Sequence, residues 1–190
     1  MAESAAYLIS KRQEALTYLQ NPCTQKVLQL SKQQESFFLS YEPSLKLQDQ
    51  PTASLYEEQW RNSRKKDLEY GTTLLGPHKD DILFFLDCKE VKIYCSEGQK
   101  RCCLAALRLS EWERMNALLQ APPLFGIDDF AIHLDETRSF LLQNLLRSMG
   151  QVFITAPSLS HIENSHQLRR SVKNKFTRDI GNTLVLKESF

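Results

Sequence analysis

Two stretches of this chain hold side chains able to handle a phosphate. "PLFGIDD", residues 123 to 129, is an apolar run that ends on two carboxylates. In nucleotide hydrolases a strand of this form delivers one aspartate to the Mg²⁺ shell and a neighbouring carboxylate to the attacking water. Asp128 is then the metal residue and Asp129 the base, while the plainer reading is a strand that runs out into polar loop residues. "SEGQKR", residues 96 to 101, opens a helix, and Ser96 followed three residues later by Gln99 is a capping box. Gly98 lets another molecule approach the backbone closely. A helix start presents free amides and the positive end of the dipole, so it suits a phosphate, although most capping boxes only cap helices.

Two further stretches carry charge with less definite chemistry. "GTTLLGPHKDD", residues 71 to 81, has the glycine spacing of a phosphate-binding P-loop, but Pro77 and His78 stand where Lys and Ser or Thr belong. A metal site on His78, Asp80 and Asp81 lacks any signalled further ligand. What remains is a turn shaped by Gly76 and Pro77, with Lys79 either contacting phosphate or pairing with Asp80 or Asp81. The basic run "RNSRKKD", with Arg64, Lys65 and Lys66, is a solvated helix face or a DNA-phosphate face.

The elements that must position these residues can be read from periodicity. Tyr7, Leu8, Ala15, Leu16 and Leu19 recur at helical spacing and predict a helix from Ala2 to about Leu30, interrupted near Asn21 and Pro22. "SFFLSYEPSL" is β-prone, "QDQPTAS" is a loop, and a second helix runs from about Ser54 to Tyr70. "ILFFLD" and "VKIYC" predict a hairpin of two short strands. A long helix starting at "SEGQKR", a buried strand at "PLFGIDD", a helix at "ETRSFLLQNLLRSMG" capped by Asp135, and a strand at "QVFIT" follow. Strand, helix, strand in this order favours a parallel sheet with crossover helices.

Bulk properties narrow the class. With 190 residues, 42% hydrophobic and 25% charged, the chain suits one domain with an elaboration. A net charge of +1, from 24 basic and 23 acidic residues, means that any nucleic-acid affinity must be local. Five cysteines without a C-x-x-C pair read as reduced thiols. No signal-peptide core and no run of about 18 apolar residues is present, so a cytoplasmic location without membrane is expected.

In their order and separation, "GPHKDD", "SEGQKR", "PLFGIDD", "HLDETR" and "GQVFIT" resemble the C-terminal portion of the RecF family, bacterial recombinational-repair ATPases related to ABC and SMC proteins. The resemblance is strong from Gly71 to Thr155 and looser over the first 70 residues. It implies an α/β fold, the C-terminal lobe of an ABC/SMC-type ATPase head (71–190), preceded by a partial helical arm domain (1–70). It also places Ser96, Glu97, Gly98 and Gln99 in the nucleotide-binding signature, completing an ATP site across a homodimer. Asp128 matches the Walker B aspartate for Mg²⁺, and Asp129 the catalytic carboxylate. Arg64, Lys65, Lys66 and Lys79 become candidate DNA contacts. The family clamps DNA with ATP, at junctions of single strand and duplex, and works with RecR and RecO to place RecA on gapped single strands.

Several positions depart from the family pattern. No G-x-x-x-x-G-K-[ST] occurs anywhere in the chain. Gly126 stands inside the carboxylate strand, where glycine weakens pairing. Ile132 and His133 occupy the D-loop, Ala156 and Pro157 follow the last strand, and His161 and His166 read as surface residues. Without P-loop amides and lysine, the chain alone is expected neither to bind ATP tightly nor to hydrolyse it. An unpaired strand edge or exposed apolar face and a fragmentary chain are expected. The alternative is a non-catalytic DNA- or partner-binding module built on such a head.

Overall fold

The structure is a computed structural model that describes residues 1–45, 52–130 and 132–156, and the backbone of 174–176 and 184–187. His161, His166 and Pro157 lie outside the described residues.

Helix α1 spans Ala2–Leu30 without a break, although Pro22 lies inside it. The expected interruption is absent because packing grips the helix on both sides of the proline. Leu19, Cys23, Val27 and Leu30, spaced at three and four residues, enter the main core, and Ala2, Ala5 and Ile9 enter a second cluster around Tyr56. Each fully buried Val or Leu contributes about 1.5–3 kcal/mol, enough in sum to offset the roughly 3 kcal/mol cost of an internal proline.

Strand β1 (Phe37–Glu42) follows, then helix α2 (Ala53–Tyr70), closed by Gly71 in the left-handed conformation at φ 66°. Strand β2 (Asp81–Leu86) pairs antiparallel with β1 along its whole length, from Phe37↔Leu86 to Glu42↔Asp81. A tight turn with Asp87 and Cys88 both at positive φ leads into β3 (Lys89–Glu90). Two positive φ values in a two-residue connection are what a primed hairpin turn demands. Asp87 anchors the turn by accepting from the Ser36 amide at 2.8 Å and the Ser36 hydroxyl at 3.0 Å.

The hairpin's second strand is shorter than expected. Residues Val91–Tyr94 form a one-turn helix, α3, and not a strand. Only Val91 of the four is buried, while Ile93 and Tyr94 point outward. The alternation that reads as a strand therefore has no sheet face to satisfy, and burial of Val91 turns the chain toward the next helix cap.

Helix α4 (Glu97–Leu119), strand β4 (Phe125–Ile127), helix α5 (Glu136–Leu146) and strand β5 (Val152–Ala156) follow. Strands β4 and β5 are parallel and joined through α5, as their order predicts. Segments β6 (Asn174–Phe176) and β7 (Leu184–Lys187) extend this sheet in the order β4-β5-β7-β6, with the last two pairings antiparallel. Strand β4 is thus an edge. The expected buried strand is instead three residues long and half covered, with Gly126 exposed and Leu124 of the preceding loop largely exposed. Among the described residues it pairs with β5 alone.

The main core joins α1 to α4, α5 and β5 through Cys23, Val27, Cys103, Ala106, Leu142 and Val152. Ala106, fully buried, lets α1 approach so closely that the Cys23 thiol reaches its carbonyl at 4.0 Å. All five cysteines are free thiols, and burial pushes Cys102 up to about 11 and Cys103 to about 12, which leaves both protonated and inert.

Candidate nucleotide-binding site

The first turn of α4 is built by its own side chains. The Ser96 amide donates to Gln99 Oε1 at 2.9 Å, and the Gln99 amide donates to Ser96 Oγ at 3.2 Å, a complete capping box. In the box Ser96 donates only through its amide and its Oγ only accepts, so the hydroxyl proton remains available to donate. Glu97 pairs with Lys100 at 2.9 Å, and that lysine holds its exposed carboxyl below the ordinary range. Glu97 and Gly98 carry the first two helical N–H groups, which have no intrahelical acceptor.

Gly98 is tightly approached, but by this chain itself. A Cβ there would sit 2.7 Å from the His133 carbonyl oxygen, so the loop before α5 rests directly on the start of α4. The far end of Gln99 is also fixed: Nε2 donates to Glu35 Oε1 at 2.8 Å. Arg138 donates to the same oxygen at 2.8 Å, while Asp135 caps α5 by accepting from the Arg138 amide at 2.8 Å. Glu35 therefore links the segment after α1 to the starts of both α4 and α5. No local pattern flags it, because its partners lie 64 and 103 residues away.

The two carboxylates of "PLFGIDD" emerge at the end of β4, both exposed. Asp129 takes the left-handed conformation at φ 54°, which Asp tolerates better than most residues. Thr155 of β5 binds both: its hydroxyl donates to Asp128 Oδ1 and accepts from the Asp129 amide at 3.0 Å. The next amide, of Phe130, donates to the Thr155 carbonyl at 2.8 Å, and Arg101 reaches the Asp129 carbonyl at 3.5 Å. A cleft of about 420 Å³ lies against these groups, lined among others by Arg101, Leu104, Arg108, Phe125, Asp128 and Asp129. Ser96, Glu97, Gly98 and Gln99 do not line it.

The donor set fits a Mg²⁺ shared with phosphates. Asp128 keeps one carboxylate oxygen free of Thr155, and no group of three or more metal-binding side chains exists among the described residues. Mg²⁺ is commonly held by one or two carboxylates plus phosphate oxygens, with no all-protein cage.

At the "GPHKDD" turn the metal reading fails for a specific reason. The Asp80 side chain has no exposed surface; it accepts from the Tyr41 hydroxyl and, at 2.7 Å, from the Ser44 amide, and Arg12 lies 3.7 Å away. His78 is bonded to the Thr73 carbonyl at 3.0 Å, and Asp81 accepts from its neighbour Ile82. Asp80 thus takes its cation from α1, so the expected pairing with Lys79 is replaced by Arg12. Lys79 is exposed and makes no ion pair among the described residues. Gly76, at φ 139°, shapes the turn, and Trp60 of α2 donates to the Leu75 carbonyl at 2.9 Å beside it. Arg64, Lys65 and Lys66 lie exposed on α2.

Known proteins match this arrangement. A RecF DNA replication and repair protein of Protochlamydia amoebophila is 36% identical over 169 residues, covering 86% of this chain and 47% of that protein. A RecF protein of Bacillus cereus is 31% identical over 177 residues, covering 91% and 47%. The chain belongs to the RecF family, matching the C-terminal portion of its members. It spans about half the length of the curated relatives it matches. Two solved RecF structures, described as a recombination mediator of the RecFOR pathway with ATPγS and with ATP, superpose at TM-scores of 0.63 and 0.64. They are 25% and 23% identical, cover 80% of this chain, and are covered by it to 46% and 45%. The fold is accordingly the RecF variant of the ABC-type ATPase fold. No family model matches the chain. No described helix is long and apolar enough to cross a membrane.

Proposed function

We propose that this chain supplies the signature and carboxylate half of an ATP-dependent DNA clamp of RecF type, in which residues 1–70 belong to the arm and 71–190 to the head. Strand β1 carries the first region into the sheet of the second. The observation that carries the reading is the intact Ser96–Gln99 capping box on the same helix whose next turns flank Asp128 and Asp129.

In this reading the Ser96 hydroxyl and the Gly98 amide donate to the terminal phosphate of an ATP seated on another subunit. That Ser96, Glu97, Gly98 and Gln99 do not line the cleft against Asp128 and Asp129 supports such a division between subunits. Asp128 would hold Mg²⁺, which when bound would neutralise charge on the phosphates. Asp129 orients the attacking water and accepts its proton. These 190 residues hold no G-x-x-x-x-G-K-[ST], so in this reading phosphate binding depends on a P-loop outside them. Arg64, Lys65, Lys66 and Lys79 face DNA phosphates, and RecR, RecO and RecA are the expected partners in gap repair. A second reading, a DNA-binding module without catalysis, is favoured by the exposed basic run and the missing P-loop.

The test is Mg-ATP turnover by the chain alone and mixed with a polypeptide carrying the P-loop half of the Protochlamydia relative. Turnover in the mixture only, abolished by Asp129→Asn, supports the first reading. Turnover by the chain alone that disappears with Asp129→Asn contradicts it, and no turnover in either sample favours the module.

A further inference from the structure

Strands β4 and β5 stop pairing through their backbones at Ile127↔Ile154. Immediately beyond, Thr155 contacts three consecutive residues of the carboxylate turn: Asp128 through its hydroxyl proton, Asp129 through its hydroxyl oxygen, and Phe130 through its carbonyl. We propose that Thr155 is a positioning residue, which aims the free oxygen of Asp128 at the metal and holds Asp129 in its left-handed conformation. This inference rests on the assignment of Asp128 as the Mg²⁺ residue.

The hydroxyl has one proton and can serve in only one sense here. Its oxygen accepts from the Asp129 amide, which leaves the proton for Asp128 Oδ1 and occupies that oxygen. The other oxygen of Asp128 takes no part in this bond. Phe130, almost wholly buried, pins the far end of the turn, so rotation of the Asp129 peptide is opposed at both ends. The branched side chain of threonine also restricts χ1, which limits the directions the hydroxyl can take. Groups that orient a ligating carboxylate typically change metal affinity by about 10–100-fold when removed.

Manganese chloride added to ¹⁵N-labelled full chain provides a readout independent of turnover. In wild type, paramagnetic broadening is expected to be selective for amides 127 to 130 and to be absent in Asp128→Asn. Thr155→Val, which keeps the shape and removes the hydroxyl, should need about tenfold more Mn²⁺ for equal broadening, with Thr155→Ser restoring it to within about twofold. Thr155→Ala replaces Val if the latter does not fold. Equal Mn²⁺ sensitivity in wild type and in the hydroxyl-free variant overturns the positioning role alone. No selective broadening in wild type overturns the metal assignment of Asp128, and the inference with it.

Discussion

Glu35 and Arg138, 103 residues apart in the chain, form a 2.8 Å ion pair with side chains only 11% and 18% exposed. The pair fixes more than two helices. Because Glu35 Oε1 also accepts from Gln99, one oxygen sets the side chain that completes the α4 capping box. Arg138 is in turn one residue of the α5 cap, so the starts of α4 and α5 share a single anchor.

Removing one partner from so enclosed a pair strands the other. Arg138→Ala should cost about 2–3 kcal/mol, below the 3–5 kcal/mol of a fully buried pair because some exposure remains. Glu35→Gln, which keeps a hydrogen-bond acceptor, should cost less. A urea-unfolding double-mutant cycle should give a coupling of at least about 1 kcal/mol, and additive effects would show that the two side chains are independent.

Gly98→Ala places a methyl against the His133 carbonyl, a backbone atom that cannot swing aside. Overpacking of this sort costs about 1–3 kcal/mol. Amide exchange should quicken in the first turn of α4 and in residues 132–135 together. Quickening confined to α4 would show that the loop does not rest on the glycine.

Tyr41 provides a pH signature for the "GPHKDD" turn. Burial, and next its bond to Asp80, push its hydroxyl from 10.0 up to about 12. The folded protein therefore holds this proton more tightly than the unfolded chain. The associated stability is complete below pH 10 and is lost as pH rises through about 12. Tyr41→Phe should be less stable at pH 8, by about 1 kcal/mol for the lost hydrogen bond. Its deficit relative to wild type should shrink between pH 10 and 12; a constant gap in urea midpoints across that range would contradict the burial of this hydroxyl.

The exposed cations of α2 can be examined through salt. If Arg64, Lys65 and Lys66 meet phosphates, neutralising all three should weaken duplex binding for every sequence alike. The slope of log affinity against log salt should flatten by about 0.9 for each lost contact on duplex DNA. An unchanged slope would return these residues to the status of a solvated face.

Elements with local causes were legible in the sequence. The helical spacing around Leu16 and Leu19, the Ser96–Gln99 box, the Asp135 cap and the β4–α5–β5 order all depend on neighbours a few residues away. Misreadings arose where distant packing overrode a local rule. Pro22 is carried inside α1 by the core on either side, and "VKIYC" alternates like a strand but finds no sheet to join. Strand β4 reads as buried from its apolar letters, yet burial depends on a neighbour on each side and among the described residues it has one. Glu35, Thr155 and Tyr41 were invisible for the same reason, since their importance lies wholly in partners 25 to 103 residues away.

Helix α1 spans both hydrophobic clusters as one rod of 29 residues. At about 1.5 Å per residue, Ile9 and Val27 lie about 27 Å apart along it, so a tilt of about 5° about the Val27 end displaces Ile9 by about 2 Å. Arg12, just beyond Ile9, is bonded to the Pro77 carbonyl at 2.5 Å. The rod has the geometry of a lever: a small rigid-body rotation where Cys23 seats on Ala106 would carry Arg12, and the "GPHKDD" turn bonded to it, by a larger distance.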